Sequence, residues 1–235
     1  ITMNFAEKIC TTFPETLGNL PQNKGKFIGP IVRPELKKGD PNRGRLLCGF
    51  VQKVCAENRH EKPIILVAGG SLGSLLINQT IRSLLDRLLQ EFQVIHICGK
   101  GNVDESLEQN DYKQFEYVSD KLADLMLLAD LIVSRSGSNF IFEFLALKKP
   151  MILIPLSKKS SRGDQIENAK AFQEQGFAEV ILEENLTSDS LLDSIHLVFA
   201  NRKNYSSKMI SWNPDRSLHE LFKVIVETEG LNNKK

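Results

Sequence analysis

The hydrophobic positions change rhythm along this chain. Ile64–Ala68 (IILVA) is a continuous apolar run of strand length, which predicts a parallel strand buried on both faces. Over Leu75–Gln90 the apolar residues recur at 77, 81, 84, 85 and 88, the spacing of one amphipathic helix. Val94–Cys98 predicts a second strand, and Glu116–Val118 a third after a polar loop at 99–112. Then come a helix over Lys121–Ala129, a strand at Leu131–Val133 and a helix over Asn139–Leu147 that is apolar almost all round. Met151–Ile154 and Ala178–Leu182 read as strands, separated by a helix over Asp164–Gln175 that Gly176 closes. Helices over Ser188–Ala200 and Arg216–Glu229 complete the pattern. Strand alternating with helix predicts the α/β class, a doubly wound, Rossmann-like parallel sheet.

The earlier part is less regular. The first 25 residues are rich in loop signals after a short apolar start, Ile1–Phe5. Phe27-Ile28 predicts a strand end stopped by Gly29-Pro30, and Glu35–Gly44 a linker. Arg45–Arg59 predicts a helix, with Leu47, Val51 and Val54 on one face. The tail Asn232–Lys235 is polar.

Composition narrows the function classes. Thirty Lys and Arg against 29 Asp and Glu leave a net charge of +1, which argues against a nucleic-acid binder. Hydrophobic residues at 41% and charged residues at 25% are a globular balance. Runs such as Met126–Ala129 and Phe140–Leu147 are too short to span a bilayer. No basic start followed by an apolar core is visible, so no signal peptide is expected. The four Cys (10, 48, 55, 98) lack C-x-x-C spacing and read as reduced thiols of a cytosolic protein. The sequence begins at Ile1, which is expected of a processed product or a fragment.

In a doubly wound sheet, ligands bind at the carboxyl ends of the strands, so the informative loops follow strands. Gly69–Ser74 (GGSLGS) joins a strand to a helix. Its glycines allow close backbone approach, and the first helical amides favour an anion. Ser71 adds a hydroxyl. A phosphate site is the functional reading; a turn needed only for packing is the alternative. The segment lacks the second Gly of G-x-G-x-x-G, and no acid ends the second strand at Cys98-Gly99-Lys100, so NAD is disfavoured. No P-loop pattern is present, which leaves a nucleotide-sugar diphosphate open.

Ser134–Asn139 (SRSGSN) repeats this logic, with Glu143 one turn into a very apolar helix. An acid there is costly unless it is paired or faces a cleft. Its carboxylate suits a ribose diol, or else pairs with an Arg such as Arg135; the chemistry alone leaves both open. The polar loop Pro155–Asp164 leads into Gln165. Asp164 could bond sugar hydroxyls or cap the helix, and capping is favoured from the residues alone. Lys158, Lys159 and Arg162 read as a solvated loop. His96, inside a strand, reads as a satisfied core residue, and no triad, zinc motif or general base is visible.

Taken as an ordered set, these loops resemble the bacterial lipid II synthase family. The carrying segments are ILVAGGSLGSLLIN (65–78), ADLIVSRSGSNFIFEFLALKKPMILIPL (129–156) and RGDQIENAKAFQEQG (162–176), with Gly29–Pro34 similar to a G-x-x-V-R linker element. The resemblance implies the C-terminal, donor-binding half of a GT-B glycosyltransferase. Residues 1–30 would be the tail of an N-terminal acceptor domain, 31–62 a linker and first helix, 63–214 the UDP-sugar domain, and 215–235 a C-terminal helix and tail.

By resemblance, Gly70 and Ser71 would meet the donor diphosphate, and Val118 and Ser119 would read uracil. Ser138, Asn139 and Phe140 would line the sugar-phosphate site through backbone amides, and Glu143 would hold the ribose. Asp164 and Gln165 would bond N-acetylglucosamine, and Arg33 would lie near the nucleotide. The family often has Ala and Thr where this chain has Ser138 and Phe140, which spares backbone contacts but not a hydroxyl at 140. The implied partners are UDP-N-acetylglucosamine and, through the absent domain, a lipid-linked acceptor. That domain would also bring the base and a peripheral seat on the inner face of the cell membrane. No cofactor and no metal are implied. The rivals are a half-enzyme that extends a dolichol-linked sugar and a non-enzymatic nucleotide-binding module.

Overall fold

The computed structural model describes residues 5–50, 62–70, 72–212 and 215–232. They form two compact units, one of 1–33 with 211–235 and one of 34–210. In the first, short parallel strands β1 (Ile9–Thr11) and β2 (Gly25–Phe27) flank a 3-10 turn over Pro14–Asn19. Gly29 follows β2 at φ 83, where an added Cβ would meet the Ser217 hydroxyl. Ser217 lies on the C-terminal helix of this unit, Asp215–Asn232.

The second unit carries a six-stranded, wholly parallel sheet in the order β5-β4-β3-β6-β7-β8. Its strands are β3 (Ile64–Ala68), β4 (Gln93–Ile97), β5 (Tyr112–Phe115), β6 (Leu131–Ser134), β7 (Met151–Leu153) and β8 (Ala178–Val180). Every residue of β3 and β6 is buried, as the unbroken apolar runs require of central strands covered on both faces. The helices are α1 (Pro41–Cys48), α2 (Leu75–Ser83), α3 (Leu85–Glu91), α4 (Leu122–Leu128), α5 (Ser138–Ala146), α6 (Asp164–Glu174), α7 (Ser188–Ala200), α8 (Arg202–Lys208) and, in the first unit, α9 (Asp215–Asn232). Ile65 and Val67 of β3, Leu131 and Val133 of β6, and Ile77, Leu88 and Ile195 of α2, α3 and α7 share one core. Helices α5 and α6 connect β6 to β7 and β7 to β8, and Phe142 of α5 meets Phe172 of α6 edge-on with centroids 5.2 Å apart.

Several expected elements differ. The stripe over Leu75–Gln90 is buried as expected, but the helix breaks at Leu84 (φ −99, ψ −5). There the Leu84 amide reaches back only three residues, to Ile81, and the Ser83 hydroxyl donates to the Thr80 carbonyl at 2.8 Å. The third strand is Tyr112–Phe115, not Glu116–Val118. It is an edge strand with alternating burial, and its inward polar residue Gln114 is satisfied by Arg82 and by the Asp104 backbone. The first helix starts earlier than expected, at Pro41, because Asp40 accepts a hydrogen bond from the Asn42 amide and caps it. Gly49 ends that helix at φ 68, and the rest of the expected Arg45–Arg59 helix lies outside the described residues. The stretch read as a linker also holds a 3-10 turn, Pro34–Lys38.

Candidate functional site

Chain order reverses between β3 and β6: β4 and β5 extend the sheet one way, β7 and β8 the other. A crevice opens at the carboxyl ends of such a pair, since the two following loops leave toward opposite faces. The loops flanking it here are Gly69–Ser74 and Arg135–Gly137, two of the segments singled out from sequence.

The glycines of the first loop divide their work. A Cβ on Gly73 (φ 78) would collide with the Cys98 carbonyl, and one on Gly69 with the Ser74 amide. These two satisfy the packing reading. Gly70 (φ 92) has nothing within 4 Å of its Cβ position, so its backbone is open to an approaching group. Ser71 lies outside the described residues. Ser74 caps α2, its hydroxyl accepting from the Ile77 amide at 3.4 Å.

Helix α5 starts differently. Its cap position is Gly137, which brings no side-chain acceptor. The amides of Ser138, Asn139 and Phe140 precede the first intrahelical hydrogen bond, from Ile141 to the Gly137 carbonyl. Three donors and the positive end of the helix dipole are thus presented together, an arrangement that favours negative charge. Ser138 and Asn139 are exposed and Phe140 half-buried. Glu143 lies four residues after Asn139, on the same face of the helix, and is 5% exposed.

Arg135 does not serve as the partner first considered for Glu143; its guanidinium is engaged elsewhere. Nη2 donates to Glu183 at 2.6 Å and to the Ser74 hydroxyl at 2.8 Å. Nη1 donates to the Ile154 and Pro155 carbonyls at 3.1 and 3.3 Å. One buried side chain therefore ties together the loops after β3, β6, β7 and β8. Burial pushes the Glu183 carboxyl up, but the Ser157 amide and Arg135 outweigh it and hold its pKa below the ordinary value. Nearby, the Ser136 hydroxyl donates to the Gln165 carbonyl at 2.8 Å, and the Asn168 amide to the Ser136 carbonyl at 3.0 Å. These bonds fix the start of α6 beside the start of α5.

Asp164 is not the cap of α6. Gly163, at φ 90, holds that position, and Asp164 is the first helical residue, exposed to solvent. Its carboxylate is displaced from capping because the loop enters the helix through a left-handed residue. Gln165 is half-buried, its Oε1 accepting from the Leu156 amide at 3.2 Å. Val118 and Ser119 lie after β5 on the same carboxyl edge, two strands from the switch point. Arg33 is exposed and belongs to the other compact unit.

His96 is a core residue, as expected. It is fully buried in β4, with Nδ1 on the Tyr112 hydroxyl at 2.8 Å and Nε2 on the Asn78 amide oxygen at 3.0 Å. Burial, with the Arg82 charge adding to it, pushes its pKa down to about 3. It is neutral and enclosed, unsuited to general base work. Among the described residues, no cluster of His, Cys, Asp or Glu could hold a metal ion, and no helix is long and apolar enough to cross a membrane.

Residues 64–222 match the glycosyltransferase family 28 C-terminal domain. The chain belongs to this family. That match takes in both flanking loops, α5 and the Arg135 network. Among relatives of the family 28 chain is the UDP-N-acetylglucosamine--N-acetylmuramyl-(pentapeptide) pyrophosphoryl-undecaprenol N-acetylglucosamine transferase of Geobacillus kaustophilus. It is 49% identical over 232 residues, covering 98% of this chain and 63% of the relative. The protein of that name from Clostridium perfringens is 48% identical over 210 residues, 89% of this chain and 57% of the relative. The family 28 chain thus spans less than two thirds of the length of these relatives.

Solved structures agree on the fold. The Acinetobacter baumannii MurG structure superposes with a TM-score of 0.63 at 20% identity, covering 92% of this chain and 59% of that one. A kitacinnamycin glycosyltransferase gives 0.66 at 19%, over 92% and 52%. The family 28 fold here is that of one half of a GT-B glycosyltransferase.

Sequence reading missed the clamp. Arg135 was visible only as a possible partner of Glu143, and Ser74, Ser136, Asn168 and Glu183 carried no signal. Their roles arise from strands brought side by side, which no local pattern encodes.

Proposed function

We propose that this chain is the donor-binding half of an inverting glycosyltransferase that uses UDP-N-acetylglucosamine. The full protein would pass N-acetylglucosamine to the lipid-linked acceptor in its relatives' names, working peripherally at the cytoplasmic face of the membrane. The observation that carries this reading is the uncapped start of α5 at the switch point, with Glu143 buried one turn below. In this reading the amides of Ser138, Asn139 and Phe140, together with Gly70 and Ser71, receive the diphosphate. Amides fixed in place stabilise the charge that develops on departing UDP, with no reorganisation at the moment of bond cleavage. Glu143 accepts both ribose hydroxyls, the backbone at Val118 and Ser119 reads uracil, and Asp164 and Gln165 bond the sugar.

The attacking hydroxyl also needs a base, and His96 is unsuited to the task. The base and the acceptor wall are assigned to the portion of the relatives that this chain does not span.

The test is calorimetric titration of the 235-residue chain with UDP-N-acetylglucosamine, UDP, uridine, NAD and ATP. The two UDP ligands should bind far more tightly than uridine, and NAD and ATP should fail. Equal affinity for uridine and UDP would remove the diphosphate cradle. Radiolabelled transfer to a lipid I analogue should be absent; appreciable transfer would place the base within this chain.

A further inference from the structure

The amino-terminal edge of the same sheet, opposite the crevice, carries a second concavity. A cleft of about 530 Å³ opens where α5 ends, β6 and β7 begin, and α8 passes across. Lys148, Lys149, Arg202 and Lys203 line it, with Asp130 as the one acidic residue in that lining among the described residues. Four cations thus share this lining with one carboxylate, in a protein whose net charge is +1. The Asp130 carboxylate is also turned to the sheet, accepting from the Ile64 amide at 2.8 Å.

Two of these cations sit where ordinary surface lysines do not. Lys148 ends α5 in a Schellman turn, its amide donating to the Leu145 carbonyl and the Lys149 amide to the Phe144 carbonyl, at 3.1 and 3.0 Å. That turn needs a left-handed residue, and Lys148 adopts φ 57, the one positive φ outside glycine among the described residues. Glycine takes such a position without strain, whereas a lysine there costs stability. Lys149 is drawn inward, its ammonium donating to the Leu127 and Ala129 carbonyls at 2.7 and 2.6 Å. An ammonium has three N–H groups, so one is left for a ligand. Burial lowers its pKa, a cost that a bound anion would offset.

The opposite wall is held in place. Arg202 donates to the Phe199 carbonyl at 2.8 Å and lies 4.2 Å from the centre of the Phe199 ring. The Ser206 hydroxyl donates to the Lys148 carbonyl at 2.9 Å, which pins α8 to the strained turn. Like charges gathered on rigid walls repel one another, and a solvated surface would not need the desolvated Lys149.

We propose that this cleft is a second ligand site, remote from the strand-end crevice, that takes a phosphate-bearing anion. A phosphate group offers several oxygens to converging cationic donors, which a carboxylate does only in one plane. Its source is either a soluble phosphorylated compound or an anionic lipid headgroup.

The experiment titrates the 235-residue chain with pyrophosphate while the amide resonances of Arg202, Ser206 and Ser207 report on the cleft. A parallel arm measures flotation with phosphatidylcholine vesicles, with and without phosphatidylglycerol. The doubly substituted Lys148→Gly, Lys203→Ala protein should bind the effective probe at least roughly tenfold more weakly, as loss of hydrogen bonds to a charged group implies. Lys148→Gly alone should keep or raise the melting temperature, by up to roughly 2–4 °C, so the lost affinity is not unfolding. Lys170→Ala, on α6, should change nothing. A response to pyrophosphate identifies a soluble ligand, and a response only to phosphatidylglycerol vesicles a headgroup. The proposal is overturned if neither probe shifts these amides or floats the wild-type protein, or if the double variant responds as the wild type does.

Discussion

Replacing Arg135 by methionine should unfasten the carboxyl edge of the sheet. Arg135 is 7% exposed and makes four hydrogen bonds to three other segments. Methionine preserves much of the apolar stem but leaves Glu183, with a side chain 16% exposed, as an uncompensated carboxylate. Breaking one partner from a buried pair costs about 3–5 kcal/mol, a large part of the ~5–15 kcal/mol by which domains are stable. The Ile154 and Pro155 carbonyls lose a donor as well. Urea denaturation at neutral pH, followed by circular dichroism, measures the loss. The Arg135→Met, Glu183→Gln double variant should recover part of it, because a neutral amide replaces the stranded charge, with a coupling energy above ~1 kcal/mol.

The pH dependence gives a second handle on the same pair. The folded pKa of Glu183 is depressed, so its contribution is present above the unfolded value near 4.5 and is lost as pH falls through the folded value. The gap between wild type and Arg135→Met should therefore narrow in acid, where the carboxylate is protonated in both. A variant within ~1 kcal/mol of wild type at neutral pH would show that the network is ornamental and that the loops hold their positions without it.

Three further outcomes follow from the site and the core. Glu143→Ala should weaken UDP binding by roughly 1.5–3 kcal/mol with the fold retained, and unchanged affinity in calorimetry would remove its ribose role. Ser71→Asp should abolish UDP binding but spare uridine, since the added charge opposes only the diphosphate; equal weakening of both would argue against a phosphate cradle. His96 has its folded pKa lowered to about 3, against about 6.5 when unfolded, so stability should fall as pH drops through that window. His96→Gln should flatten that part of the stability–pH curve, and an unchanged slope would place the acid sensitivity elsewhere.

The central sheet was readable because burial on both faces leaves no polar position to confuse the pattern, as in Ile64–Ala68 and Leu131–Ser134. Helix α7 spans the expected Ser188–Ala200, and the structure adds a capping box between Thr187 and Ser190 at its start. The edge strand Tyr112–Phe115 was hidden for the opposite reason. Its inward residues are Tyr112 and Gln114, and Arg82 and Asp104, from other segments, make the Gln114 amide tolerable inside. The break at Leu84 left no trace in the periodicity, since both short helices bury the same stripe.

The same division runs through the site. Glycines announce a backbone that a ligand can approach, so Gly70 and the start of α5 were legible. What holds those loops at one edge is Arg135, and the meaning of that residue depends on an earlier hydroxyl, Ser74, and on carbonyls and a carboxylate that enter from two later segments. The proposed site of backbone amides would require little recognisable side-chain chemistry: its donors are generic, and their arrangement would carry the selectivity. Such a site depends on rigid placement, because an amide displaced by an ångström no longer meets its oxygen. Substitutions in the clamp should therefore reduce UDP affinity although they never touch the ligand, whereas substitutions of the exposed side chains of Ser138 or Asn139 that leave the backbone in place should not.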